Sequence, residues 1–143
     1  MKNNIRGIKC SIDYYQLKEF LKFLTNRPWD FYMPWCLLDD MVPIMSPKML
    51  LPNLSTFENH NIWEMELQCF PPNIEYVHVT DYQAFCSSPC ECCLLYYDCG
   101  YLEIYVKQRD CLQQFWGYLK CCETEDLQFI TDWNDTRTGF SVG

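Results

Sequence analysis

Four groups of side chains in this chain have types and spacings from which chemistry can be built. The densest is Cys86-x-x-x-Cys90-x-Cys92-Cys93, which together with Cys121-Cys122 offers enough thiolates for a tetrahedral metal centre. Cys92 and Cys93 fall in a stretch that reads as a strand, however, and neighbours on a strand point to opposite faces. They cannot both reach one ion without a bulge. The expectation is no metal, with buried thiols acting as small hydrophobes. The second group is a nucleophile with its base. Thiols abound, but His60 and His78 are the two imidazoles, and His78, between Val77 and Val79, reads as a solvent-facing strand residue. Five glycines supply no phosphate-cradling loop, and Walker, Rossmann and nucleophile-elbow patterns are absent. No catalytic residue and no cofactor is called for.

The third group is carboxylates. Asp132, Asp135 and Arg137 share a polar turn, where Asp and Asn side chains commonly bond their own backbone. The same turn offers a cation site between Asp132 and Asp135, or a polar binding spot through Asp135 and Arg137. Asp39-Asp40 reads as solvated loop, and Glu123, Glu125 and Asp126 cluster after a helix end. The fourth group is aromatic. Tyr14, Tyr15, Trp29, Phe31, Tyr32, Trp35, Trp63 and Trp133 are more than one modest core hides, and large aromatics among charges favour protein-binding surfaces. Glu123, Glu125, Asp126, Asp132, Trp133 and Asp135 are therefore the candidate partner-contact residues.

The charge balance points the same way. Eleven basic and nineteen acidic residues give a net charge of −8, distributed as +4 over residues 1–27 and −12 over the remainder. A surface of that sign repels phosphate backbones, which argues against nucleic acid, and it speeds encounter with a basic partner. Eleven cysteines, an odd number that includes two adjacent pairs, fit reduced thiols in a cytosolic protein better than a disulfide framework. No apolar run approaches the ~18 residues of a membrane span, and residues 1–6 lack the apolar core of a signal peptide.

The elements that must position these groups follow from periodicity. Ile8, Cys10 and Ile12 alternate in a strand; Asp13 with Gln16 makes a capping box for a helix whose stripe is Leu17, Phe20, Leu21 and Leu24. Trp29–Leu38 is extended but broken by Pro34, which predicts a short edge strand or two fragments. Pro43, Pro47 and Pro52 punctuate a long loop with a brief helical turn. Trp63, Met65, Leu67 and Cys69 alternate with Glu64, Glu66 and Gln68 in a half-buried strand, and Ile74–Val79 reads as another short one. Thr80 or Asp81 caps a turn of helix through Phe85. Cys92–Tyr97 is a central strand, Asp98-Cys99-Gly100 a hairpin turn, and Leu102, Ile104 and Val106 the returning strand. Asp110 with Gln113 caps a second long helix with stripe Leu112, Phe115, Trp116 and Leu119, and Leu127–Ile130 is a last strand. The strand, Asp-x-x-Gln cap and stripe at 8–24 recur at 102–119, an echo that fits either a duplicated unit or coincidence.

Three stretches also carry a resemblance: Leu94-Leu95-Tyr96-Tyr97-Asp98, then Tyr101-Leu102-Glu103-Ile104-Tyr105-Val106-Lys107, then Ile130-Thr131-Asp132-Trp133-Asn134-Asp135-Thr136-Arg137-Thr138. With the opening Arg6-Gly7-Ile8, they resemble a small family of Gram-positive bacteria, the domain of unknown function numbered 2691. The resemblance implies a cytoplasmic bacterial protein and brings no activity, cofactor or site residue with it.

The resulting expectation is a single α+β domain over residues 1–143. Its largely antiparallel sheet has about five or six strands, with two main helices on one face. The functional expectation is a non-catalytic protein that engages another protein of basic character through an acidic, aromatic surface, in the manner of an immunity or inhibitor protein, with neither nucleic acid nor membrane as partner. The alternative is a small-ligand or metal-binding protein using the cysteine cluster.

Overall fold

Alternating apolar residues place Ile5–Ser11 in a strand, β1, whose Ile8 and Cys10 are buried. The computed structural model describes residues 4–40, 48, 50, 52, 55 and 58–142; Pro43 and Pro47 of the expected loop lie outside them. Leu50, Pro52, Ser55 and Glu58 are helical, as the expected brief helical turn requires. After β1 the chain enters helix α1 (Tyr14–Leu24) through a complete capping box: the Asp13 carboxylate accepts from the Gln16 N–H at 2.7 Å, and the Gln16 side chain accepts from the Asp13 N–H at 3.0 Å. Leu17, Phe20, Leu21 and Leu24 are all fully buried, so this helix stands as its spacing predicts.

Strand β2 (Asp30–Leu38) passes straight through Pro34, where two fragments were the alternative. It is an edge strand, and its pairing with β3 (Ile62–Phe70) slips register between Tyr32 and Trp35, so the proline's missing N–H falls at an irregularity. β3 is flanked on its other side by β4 (Cys92–Tyr97), which leaves no free edge beside it. Residues Ile74–Val79 consequently form no strand, contrary to the periodicity. They cross over the face of the sheet, and the Gln68 amide takes the place of a strand neighbour: its Nε2 donates to the Val79 carbonyl at 2.7 Å and its Oε1 accepts from the Val79 N–H at 3.1 Å. Exposed His78 thus lies on irregular backbone, not on a strand.

Asp81, not Thr80, caps the short helix α2 (Tyr82–Ser87). β4 turns into β5 (Tyr101–Val106) through Asp98 and Cys99, both at positive φ (52° and 57°), as a tight hairpin demands. Helix α3 (Arg109–Cys121) follows, with Gln108 at the cap and no side-chain cap bond. Asp110 is therefore not the cap, because the chain is already helical when it reaches it; its carboxylate sits in the first turn, where the helix dipole favours it. The last strand, β6 (Glu125–Thr131), begins two residues before the predicted Leu127.

All six strands join one antiparallel sheet in the order β2-β3-β4-β5-β1-β6, an α+β architecture. α1 and α3 cover one face, with Phe20 meeting Phe115 edge-on at 5.6 Å; these rings hold the same place in the two stripes of the sequence echo, although only α1 has the capping box. Leu112 and Trp116 of the second stripe are half-buried, and Trp116 stacks on Phe129 of β6 at 4.0 Å. The opposite face is covered as well, by Val79, Phe85 and Phe140 packed on Phe70, Cys93, Leu95, Tyr105 and Ile130. That second layer buries Glu66 and Gln68, the residues whose alternation read as the wet side of β3. One glycine is dictated by this packing: a Cβ on Gly7 would fall 1.8 Å from the Ile104 carbonyl oxygen of the neighbouring strand.

Candidate functional site

Because neighbouring strands run in opposite directions, one end of the sheet collects the C-termini of β2, β4 and β1 with the N-termini of β3, β5 and β6. The residues at and just beyond those strand ends bring Asp39 and Asp40, Asp98, Asp13, Glu123, Glu125 and Asp126 to one end of the sheet, its acidic pole; the stretches 11–13, 38–40, 60–62, 97–101 and 122–126 contain no Lys or Arg. Asp98, Glu123, Glu125 and Asp126 make no ion pair among the described residues.

Within this pole lies an open cleft of about 560 Å³ lined by Asp13, Asp98, Tyr101, Glu123 and Glu125. Its walls are tied together: the Ile12 N–H donates to the Gly100 carbonyl at 2.8 Å, and Gln16 Nε2 donates to the Cys122 carbonyl at 2.9 Å. Ser11 and Tyr101 also border a second cleft, lined by Asp126 and Glu103 together with Lys9. Asp126 is displaced outward by a bulge, since Lys9 pairs with Gln128 but Ser11 with Glu125. The aromatic rim is present too. Tyr101 is half exposed, Tyr14 and Tyr15 open the helix next to Asp13, and exposed Trp63 accepts the Cys99 N–H at its carbonyl.

The polar turn after β6 has a different character. Asn134 accepts the Thr131 N–H at 2.7 Å and donates to the Phe129 carbonyl at 2.9 Å, which closes the turn. The Asp135 carboxylate, with its side chain only 3% exposed, pairs with Arg6 at 3.1 Å and accepts from the Tyr105 hydroxyl at 2.9 Å and the Arg137 N–H at 3.1 Å. Arg137 in turn pairs with Glu103 at 3.2 Å, donates to the Gly139 and Ser141 carbonyls, and lies over the Tyr97 ring. Burial first, then Asp135 and Glu103, push the Tyr105 hydroxyl pKa up; burial and then Glu103 push that of Tyr97 to about 12. The string from Ile130 to Thr138 therefore fastens the C-terminal tail and the start of β1 to the second face of the sheet.

A family model described as "Protein of unknown function (DUF2691)" matches residues 34–141, which include this string, the hairpin and the acidic turn at 122–126. The chain belongs to that family. A relative, the uncharacterized protein YncE of Bacillus subtilis (strain 168), is 37% identical over 89 residues, a match covering 62% of this chain and 58% of YncE. The chain thus spans somewhat over half the length of that curated relative. No solved structure matches.

Within this family fold, the six candidate contact residues do not form one surface. Glu123, Glu125 and Asp126 stand at the acidic pole, whereas Asp132, Trp133 and Asp135 follow the other end of β6, roughly 20 Å away for a strand of that length. Asp135 is saturated in the interior; Asp132, which accepts the Asn4 N–H at 3.2 Å, and Trp133, 79% exposed, remain on the surface. Of the aromatic surplus, Trp29 and Phe31 are in the core, while Tyr14, Tyr15, Trp63 and Trp133 are exposed. Strand directions added Asp13, Asp98 and the Asp39-Asp40 pair to the pole, a grouping that their scattered sequence positions conceal.

The cysteines divide as strand geometry requires. Cys69 and Cys92 face the helices, and Cys90 and Cys93 face the second layer with their sulfurs 3.6 Å apart. The Cys93 hydrogen bond holds the Cys90 thiol pKa below its usual value despite burial, while burial and then Cys90 drive that of Cys93 well up. All eleven are free thiols. Among the described residues, the one group of three or more His, Cys, Asp or Glu side chains with ligand atoms mutually within 4.8 Å contains no cysteine; it is Asp39, Asp40 and His60.

Proposed function

We propose that this protein is a non-catalytic binding module of the bacterial cytoplasm whose acidic pole docks a basic segment of another protein, in the manner of an immunity or inhibitor protein. One observation carries the reading: antiparallel strand ends bring seven carboxylates to one end of the sheet, and four of them, Asp13, Asp98, Glu123 and Glu125, line an open cleft that has no Lys or Arg in its lining and has exposed aromatic rings nearby. Carboxylates spread over a cleft fit several cationic groups on one partner, and aromatic rings beside them supply the apolar contact area of a protein interface. Backbone strain supports the same end of the molecule. Of the six non-glycine residues at positive φ among the described residues, four are at this pole: Asp98 and Cys99, which turn the β4–β5 hairpin, and Glu123 and Asp126; such conformations gather at functional sites. Eleven free thiols are compatible with a reducing compartment, and no helix among the described residues is long and apolar enough to cross a membrane.

The test is affinity capture from a Bacillus lysate with the wild-type chain and with Glu123→Lys/Glu125→Lys/Asp126→Lys, followed by association kinetics with the captured protein at low and high salt. The expected partner is basic, its on-rate falls steeply with salt, and the reversal slows association. Thermal unfolding of the variant, expected at or above the wild-type temperature because unpaired like charges are removed, shows that any lost binding is not lost folding. A salt-independent on-rate unchanged by the reversal overturns the reading.

A further inference from the structure

We propose that Asp39, Asp40 and His60 form a binding site for a divalent transition-metal ion, zinc foremost, at the end of the β2–β3 pair. The three side chains come from opposite ends of the connection between those strands. They are brought together by the ladder itself: Leu38 pairs with Ile62, and the Asp39 N–H donates to the Asn61 carbonyl at 3.0 Å. His60 Nδ1 lies 3.4 Å from Asp39 Oδ1 and 3.2 Å from Asp40 Oδ2, and one ligand atom from each residue lies within 4.8 Å of the others. These separations are longer than the ~2.7–2.9 Å of a charge-assisted hydrogen bond. The two imidazole–carboxylate separations are close to the edge of a coordination tetrahedron, about 3.3–3.4 Å for bonds of ~2.0–2.1 Å to zinc, and the third edge, between the carboxylates, is no longer than 4.8 Å.

The donor set selects the ion. One imidazole with two carboxylates suits zinc and its first-row neighbours, whereas calcium takes roughly six to eight oxygens and thiolate-seeking ions are served by sulfur elsewhere. Both carboxylates are exposed and the imidazole is half-buried, so an ion can enter from solvent. Lys18 of α1 lies near enough for Asp39 to raise its pKa against the larger lowering by burial, so one ammonium already feels this site from the helix layer. Among the described residues these three ligands complete only part of a tetrahedron, which leaves a position for water or for a donor group of a bound molecule. The site requires no protein partner at the cleft, and it stands or falls independently of the docking function.

Cobalt(II), added alone to the metal-free full chain, is the probe, because its visible bands report coordination geometry and its near-ultraviolet charge-transfer band reports sulfur. Visible bands saturating at a single equivalent, without the sulfur band and displaced by zinc, are expected. Affinity should fall at least about ten-fold in His60→Ala and in Asp39→Asn/Asp40→Asn, as loss of a ligand does. The asparagine pair preserves shape at two exposed positions, and circular dichroism on both variants confirms their folding. Absence of saturable bands, bands that persist in both variants, or a sulfur charge-transfer band assigning the metal to cysteine, each overturns the proposal.

Discussion

Removing the Asp135 carboxylate should be among the costliest single changes in this chain, even though it lies in a turn. Its side chain is 3% exposed and serves three donors: Arg6 at 3.1 Å, the Tyr105 hydroxyl at 2.9 Å and the Arg137 N–H at 3.1 Å. In Asp135→Ala the Tyr105 hydroxyl, on a fully buried residue, loses its acceptor, at about 1–3 kcal/mol. The Arg6 guanidinium keeps partial solvent contact and its stacking over Tyr82, so its loss adds only about 1 kcal/mol. The Arg137 N–H also loses its acceptor, at about 1 kcal/mol, and relief of a buried charge in a protein of net charge −8 returns about as much, leaving a net loss of about 3 kcal/mol. With a urea m-value of ~2 kcal/mol/M, the unfolding midpoint should fall by about 1.5 M. Asp132→Ala, three positions earlier but exposed, should cost under ~0.5 kcal/mol. A double-mutant cycle of Asp135→Ala with Tyr105→Phe should return a coupling of about 1–2 kcal/mol. A loss below ~1 kcal/mol for Asp135→Ala, or equal losses at 132 and 135, refutes the view that this string is a structural clasp.

Two further outcomes follow from burial. With a thiol reagent under native conditions, exposed Cys86, Cys99 and Cys121 should react fast and half-buried Cys122 more slowly, while Cys10, Cys36, Cys69, Cys90, Cys92, Cys93 and Cys111 wait for unfolding; more than four accessible thiols contradict the packing of both faces. Burial raises the Glu66 pKa above its ordinary value, against the Val142 N–H that lowers it. A raised folded-state pKa means that the group's favourable contribution is full below the unfolded value of ~4.3 and is lost as pH rises through the folded value. Glu66→Gln should therefore raise the thermal midpoint at neutral pH, with the gain shrinking toward pH 4, and a gain that grows on acidification refutes that assignment.

Legibility in the sequence depended on whether a signal was local. α1 could be placed to the residue because its cap and stripe lie within twelve positions, and the opposite facing of Cys92 and Cys93 follows from strand geometry alone. The covering of the second face was hidden, because Glu66 and Gln68 are polar and their partners, Val142 and Val79, are 76 and 11 residues away. Ile74–Val79 alternates like a strand, but β3 already has neighbours on both sides, a fact of topology and not of pattern. Asp110 makes a good cap on paper and lost the role because the short link after Val106 starts the helix two residues earlier, with Gln108 at the cap. The acidic cluster at 123–126 was visible as a run. Its union with Asp13, Asp98 and Asp39-Asp40, and the meeting of His60 with that pair, required knowing which strand ends are neighbours.

The two ends of the sheet differ in how their charges are satisfied, and that difference argues where function resides. At the end that holds the tail, Asp135 answers Arg6, and on the same face Glu103 answers Arg137, each within 3.2 Å. At the other end, Asp98, Glu123, Glu125 and Asp126 make no ion pair among the described residues, three of them in left-handed backbone, while the buried Tyr96 hydroxyl, close enough to feel Cys99 and Asp13, has no hydrogen-bond partner among them. Left-handed backbone costs about 1–2 kcal/mol per residue and an unsatisfied buried hydroxyl a similar amount. A fold needing only stability would place Lys or Arg among these turns, as it does at the tail. The negative charge of Asp98, Glu123 and Glu125, held around an open cleft, lowers the stability of the free protein and is relieved when a partner's basic side chains arrive from outside.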